Sequence, residues 1–359
     1  VAPTLIDLFA GCGGITEGFR REGFEPLLAV EWDRAAAATY AHNFGDHVVC
    51  GDVAAVHERE VPGADVLVGG PPCQGFSQLG TRDPDDPRNV LWKEYARIVG
   101  HVRPQVFVLE NVPQFLKSGQ FDMMLDWTLP GGPLDGYQLV HGVLNAADYG
   151  VPQRRRRAIV IGSRVGAPSL PEPSHGEGGR AAWVGVREAL AGIPLETGPA
   201  ELPDRTLLDG TPGPFKSPEL HLGRNPKELS RRRYDSIPPG GNRFDLPDEL
   251  MPACWANKPT GTTDVMGRLE WDRPSLTIRT EFFKPEKGRY LHPQWDADDP
   301  DRRVNRPITH WEAARIQSFP DDFVWCGSKI DIAKQIGNAV PVGLASAVAR
   351  HVRATLLDR

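Results

Sequence analysis

Cysteine is scarce in this chain and unpaired in its spacing. Five thiols (Cys12, Cys50, Cys73, Cys254 and Cys326) are scattered over 359 residues, none in a C-x-x-C pair. That argues against a disulfide-stapled secreted scaffold and against a cysteine zinc site, so no metal is expected. Long apolar runs are missing as well. None approaches the roughly 18 residues that span a bilayer, and the first residues do not read as a signal peptide. A reducing, cytoplasmic setting without membrane contact is the expectation. Positive charge is not in excess: the formal net charge is -6, so any nucleic-acid surface has to be local. A phosphate-binding G-x-x-x-x-G-K-[ST] loop is also absent. The first glycine turn, "DLFAGCGG", carries Thr16 where the last glycine of the dinucleotide fingerprint belongs, and no basic residue follows it until Arg20. A cofactor without phosphates suits that turn better than NAD.

Alternation organises the first 165 residues. Strand-forming apolar runs lie at 4–9, 27–30, 48–50, 65–68, 105–109, 138–144 and 158–161. Helix-compatible stretches at 15–22, 35–43 and 89–99 fall between several of them. This pattern predicts an α/β fold, doubly wound and Rossmann-like, around a mostly parallel sheet. From about 166 the texture shifts to Pro, Gly and charge ("PSLPEPSHGEGG", "DADDPDRR"), which predicts a smaller, loop-rich, mostly-β domain. The helical patterns "ITHWEAARIQSF" and 331–357 then return. The expected division is 1–165 plus 305–359 for a catalytic and cofactor-binding domain, and 166–304 for a second domain.

Polar residues at successive strand ends suggest a site, since ligands gather beyond the C-terminal ends of such strands. Glu31 ends the second run, 18 residues after Gly13, and can accept from two ribose hydroxyls. Trp32 beside it offers a flat face for adenine. Asp52 follows the third run and can accept from an adenine amine. An adenosine-containing cofactor without phosphates points to S-adenosylmethionine. The fourth run ends in "GGPPCQGFS". Pro71 and Pro72 stiffen the backbone before Cys73, so this thiol reads as a nucleophile rather than as core packing. The fifth run ends in Glu110 and Asn111; partial burial of Glu110 there favours a proton-donating form. A thiolate and a protonable carboxylate beside a methyl donor suit addition to an electron-poor ring.

In their order along the chain, "DLFAGCGG", "EWD", "GDV", "GGPPCQGFS", "DPRNVLWKEY", "ENVP", "QRRRR", "RPSLTIRT", "ITHWEAARIQSFP" and "QIGNAVP" resemble the DNA (cytosine-5) methyltransferases of the bacterial restriction-modification or orphan type. The resemblance implies that Cys73 attacks C6 of a cytosine flipped out of the duplex, while Glu110 contacts N3 and the exocyclic amine. It implies that Arg155 and Arg157 contact the flipped base, its phosphate or the catalytic loop. Phe9, Gly11, Gly13, Glu31, Trp32, Asp52, Val53, Pro72, Leu91, Asn338 and Val340 match the positions that line the pocket for S-adenosylmethionine, with S-adenosylhomocysteine as product. The second domain is then the target-recognition domain.

Gln78 or Leu79 is expected to fill the space the base vacates. Arg82, Arg231, Arg233, Arg243, Arg268 and Arg279 are expected to contact DNA, together with neighbours such as Arg224 and Arg232. Double-stranded DNA is the expected partner, a cognate restriction endonuclease the companion of the restriction-modification type, and a nucleoid-associated monomer the expected state. A tRNA cytosine-5 methyltransferase would share Cys73 and Glu110. A silent DNA-binding homologue would have lost one of them.

Overall fold

Seven apolar runs become one sheet because both of its faces are covered, so nearly every strand residue can be apolar. In the computed structural model, which describes residues 1–72, 91–256 and 260–358, the strands are β1 (Thr4–Leu8), β2 (Glu25–Glu31), β3 (Val48–Cys50), β4 (Val66–Gly69), β5 (Val106–Asn111), β6 (Gln138–Asn145) and β7 (Arg156–Ser163). Their order is β3-β2-β1-β4-β5-β7-β6. The first five run parallel, and β7 is antiparallel to both of its neighbours. Strand order reverses between β1 and β4, which puts the crevice of a doubly wound sheet beyond the ends of these two strands.

Helices α1 (Gly14–Arg21), α2 (Arg34–Phe44), α3 (Leu91–Val102) and α4 (Gly119–Asp126) connect the strands. Asp33 caps α2 by accepting from the Ala36 amide at 2.9 Å. One apolar cluster takes Ile6 and Leu8 of β1 with Leu67, Tyr95, Phe107 and Phe121. Asp7 alternates to the opposite face, where Ala10, Ala29 and Tyr40 form a smaller cluster.

The chain divides into two compact units, 1–149 with 156–181 and 339–359, and 150–155 with 182–338. The expected division differs: it grouped 305–338 with the sheet, whereas these residues belong to the second unit and only 339–359 return to the first. In the first unit α10 (Val342–Val352) lies on α1 so closely that a Cβ on Gly18 would stand 2.4 Å from the Ala345 Cβ.

The second unit is loop-rich, as its Pro and Gly content predicts. Its regular structure, however, is mostly short helices: α5 (Val186–Leu190), α6 (Glu228–Asp235), α7 (Ala253–Ala256), α8 (His310–Ile316) and α9 (Lys329–Asn338). Its strands among the described residues form only two short pairs. β8 (Phe215–Lys216) pairs with β11 (Val324–Trp325), and β9 (Gly267–Arg268) pairs with β10 (Arg289–Leu291). Prolines and glycines interrupt the apolar runs before longer ladders can form.

Buried charge holds this unit together. The Arg268 side chain is 0% exposed and donates to the carbonyls of Tyr234, Ile237, His292 and Val304 and to Asn305 Oδ1, at 2.6–2.9 Å. Burial pulls its pKa down to about 9. Glu312 of α8 is buried too. Burial alone would raise its carboxyl, but two hydrogen bonds from Arg306, at 2.8 Å each, hold it below the usual range. Among the described residues no helix is long and apolar enough to cross a membrane, and no cluster of three or more His, Cys, Asp or Glu could hold a metal.

Candidate active site

The turn after β1 has an uncommon backbone. Phe9 sits at φ 60° and Gly11 at φ 56°, the left-handed region that a bulky residue such as Phe9 occupies only when its surroundings impose it. A Cβ on Gly11 would meet no atom of the described residues within 4 Å, so among them the turn is open. At Gly13, φ 91°, a Cβ would strike the Phe44 ring at 2.2 Å. The two glycines thus serve different ends: one leaves room above the turn, the other seats α1 against α2.

Glu31 closes over this turn from the end of β2. Its Oε2 accepts from the Gly11 amide and its Oε1 from the Asp33 amide, each at 2.7 Å. Burial raises its pKa, opposed by these amides. Each oxygen retains a second lone pair for a ribose hydroxyl. Trp32 next to it is 74% exposed. β3 pairs Cys50 with Glu31 and delivers Asp52 to the same edge, where Asp52 Oδ1 accepts from the Ala54 amide at 2.9 Å. Val53 is buried in the sheet's apolar cluster, and Phe9 and Leu91 pack against it. Space over a left-handed turn, an exposed indole, two carboxylates and an apolar floor suit an adenosine. Val340 is buried in the first unit, and Asn338 ends α9 in the second.

Beneath the turn lies a residue that the sequence reading missed. Asp7 is fully buried, and burial raises its pKa to about 7. Its Oδ2 accepts from the Thr16 hydroxyl at 2.7 Å, and that hydroxyl lies 3.3 Å from the Tyr40 hydroxyl. Its Oδ1 has no hydrogen-bond partner among the described residues. The available signal was a lone charge inside "TLIDLF".

Description of the fourth strand's exit reaches Pro72. Cys73, Gln78, Leu79 and Arg82 lie outside the described residues. What leads to Cys73 is nevertheless latched to the end of β5: Asn111 Nδ2 donates to the Pro71 carbonyl at 3.1 Å. Gly70 is needed there, because a Cβ would stand 2.9 Å from Glu110 Oε2. Glu110 does not stand alone. Arg157 Nε lies 2.7 Å from its Oε1, with both side chains largely covered.

The remaining arginines separate by environment. Arg155 is 1% exposed and donates to the carbonyls of Ile278 at 2.8 Å and Gly337 at 2.9 Å. Its guanidinium is enclosed by backbone carbonyls. Arg268 and Arg243, expected to contact DNA, are instead buried. Arg268 is the buried knot described above; Arg243 is buried, donates to the Thr260 carbonyl at 3.1 Å and stacks over Phe244. Arg233 is half-buried, its Nε donating to the Leu250 carbonyl at 2.8 Å. Arg279 is half-exposed and pairs with Asp264 at 2.7 Å. Arg231, Arg232 and Arg224 are exposed, and Arg231 pairs with its helix neighbour Glu228.

Known proteins bear on this geometry. The profile of C-5 cytosine-specific DNA methylases matches residues 4–178 and 255–354. The chain is 35% identical to the Type II methyltransferase M1.HphI of Haemophilus parahaemolyticus, over 97% of this chain and 86% of that protein. It is 34% identical to the Type II methyltransferase M.XorII of Xanthomonas oryzae pv. oryzae, over 99% and 85%. Among solved structures, a prophage-encoded E. coli protein described as a DNA modification methyltransferase superposes with a TM-score of 0.70 at 25% identity, covering all of both chains.

Proposed function

The chain belongs to the C-5 cytosine-specific DNA methylase family, and from that premise we propose how its residues carry out the methylation of cytosine C5 in DNA. S-adenosylmethionine is the donor that the family and fold imply; when bound, it supplies the methyl group to C5. Glu31 and Asp52 hold its ribose and adenine, Trp32 stacks on the adenine, and the open turn at Gly11 admits it. Asn338 and Val340 complete the set.

Cys73 adds as thiolate to C6 of the target cytosine. The electron pair moves into the ring, and Glu110 offsets the charge by giving a proton to N3 while accepting from the exocyclic amine. After C5 has gained the methyl group its proton passes to a solvent hydroxide or water, the electron pair of that C–H bond forms the C5–C6 double bond as the Cys73 thiolate leaves C6, and the N3 proton returns to Glu110. Because C6 is stacked in a duplex, the base leaves the helix first, at a cost on the order of a few kcal/mol. Arg157, paired with Glu110, orients that carboxyl and stands beside the base. The loop-rich stretch 166–304 supplies target recognition, with Arg224, Arg231 and Arg232 on its exposed surface. The enzyme acts as a monomer on one strand at a time, in the cytoplasm beside nucleoid DNA, with a restriction endonuclease of the same site as its companion.

The observation that carries this reading is the latch between Asn111 and Pro71, which brings the approach to Cys73 beside Glu110. Bisulfite sequencing of DNA from cells expressing the protein identifies the site. Duplexes with 5-fluorocytosine there block loss of the C5 substituent, so enzyme and DNA remain joined through Cys73 in denaturant. Cys73→Ala should give no adduct and no methyl transfer while retaining S-adenosylhomocysteine binding; an adduct in that variant sinks the assignment. Glu110→Gln should lower kcat by about 100-fold or more with little change in DNA affinity, and near-native turnover would give N3 to another group.

A further inference from the structure

Arg155 is enclosed by backbone carbonyls, and it sits where two segments meet within the second unit. α9 ends at Asn338, and its last carbonyls have no partner inside the helix. Arg155 Nη2 donates to two of them, Gly337 at 2.9 Å and Asn338 at 3.4 Å. A cation at this negative helix end is favoured by the dipole. The same guanidinium donates through Nη1 to the Ile278 carbonyl at 2.8 Å, and Ile278 lies in "RPSLTIRT".

Gln153, two residues earlier, holds the other side of Ile278. Its Oε1 accepts from the Ile278 amide at 2.9 Å, and its Nε2 donates to Gln317 Oε1 at 2.7 Å. Gln317 Nε2 in turn reaches back to α9, donating to the Ile336 carbonyl at 2.6 Å. Thr277 is fastened by its hydroxyl to the Arg154 carbonyl at 3.1 Å. The two segments also meet directly: a Cβ on Gly337 would stand 2.4 Å from the Thr280 amide nitrogen. A shift of one strains the other, because the bridges through Arg155 Nη1 to Ile278, Arg155 Nη2 to Gly337, Gln153 and Gln317 are buried and hydrogen-bonded.

We propose that Arg155 is a positioning residue that ties the segment 277–280 of the target-recognition unit to the cofactor-side segment 336–338, so that DNA and S-adenosylmethionine bind with mutual dependence. This rests on the function proposed above, in which Asn338 serves the cofactor. The coupling is reciprocal by linkage. A cofactor that fixes Asn338 stiffens the peptide of Ile278, and DNA that engages 277–280 fixes the end of α9.

The test begins with the wild-type enzyme. S-adenosylhomocysteine alone should slow amide hydrogen exchange at 277–280 as well as in its own pocket, and a duplex carrying the identified site should slow exchange at 336–340. The duplex should tighten S-adenosylhomocysteine binding about tenfold. Arg155→Lys, which keeps the charge but loses the fork, should bring that factor to within about twofold, as should Gly337→Ala, which pushes the segments apart without touching Arg155. A merely structural arginine would lower Tm in Arg155→Lys and leave the tenfold factor in place, which would overturn the proposal. Protection confined to the ligand's own segment in the wild type would overturn it too, and decides alone should the variants not fold. Failure of the wild type to bind S-adenosylhomocysteine at all would instead overturn the proposed cofactor site.

Discussion

Arginines at 155, 157, 231 and 268 carry the same side chain and have three different fates. Arg268 and Arg155 are enclosed by carbonyls, Arg157 meets Glu110, and Arg231 faces solvent. No local pattern separates them, because what a guanidinium does depends on which acceptors the fold brings within 3 Å, some more than a hundred residues away. Asp7 is the counterpart among acids. Its pKa of about 7 comes from burial, and burial is a tertiary property. In the unfolded chain the same group titrates near about 3.9. The stability it contributes is full below that value and is lost as pH rises through about 7. Asp7→Asn removes the loss. In urea denaturation without ligand, the variant's advantage over the wild type should widen by about 3 kcal/mol from pH 5 to pH 8. An equal difference at both pH values would show that Asp7 is charged throughout.

Elements were legible where one face or both are continuously apolar. All seven strands of the sheet overlap the runs read from sequence by half their length or more, and the five parallel ones owe this to an apolar signature that burial leaves. The short helices α4, α5, α6 and α7 were not legible, because their few turns are held by packing with distant segments, whereas α8 and most of α9 lie within stretches read as helical. Glycines make the same point with opposite signs. Gly18 and Gly119 both lie in helices. A Cβ at 18 would overlap Ala345 and the Ser346 amide nitrogen, at 2.4 and 2.6 Å, whereas one at 119 would meet nothing within 4 Å. Gly18→Ala should therefore cost about 1–3 kcal/mol despite the better helix propensity of alanine. Gly119→Ala should gain up to about 1 kcal/mol. Denaturant midpoints measure both, and the same sign for the two would refute the close packing of α1 on α10.

At the scale of the molecule, a net charge of -6 coexists with DNA methylation because the cations that serve DNA are few and local. Three phosphate contacts alone would weaken binding about 40-fold between 50 and 200 mM salt. Arg231→Ala should lower the slope of log affinity against log salt by about one; an unchanged slope would remove α6 from the interface. By itself the sequence determined the sheet and the family, because strand burial and ordered motifs leave local signatures. Only the tertiary structure decided where the units divide, that Asp7 lies buried next to the turn after β1, and that Arg155 is enclosed by backbone carbonyls. The physical reason is that burial and hydrogen bonding are set by what surrounds a group in space, and at these positions the surroundings come from remote parts of the chain.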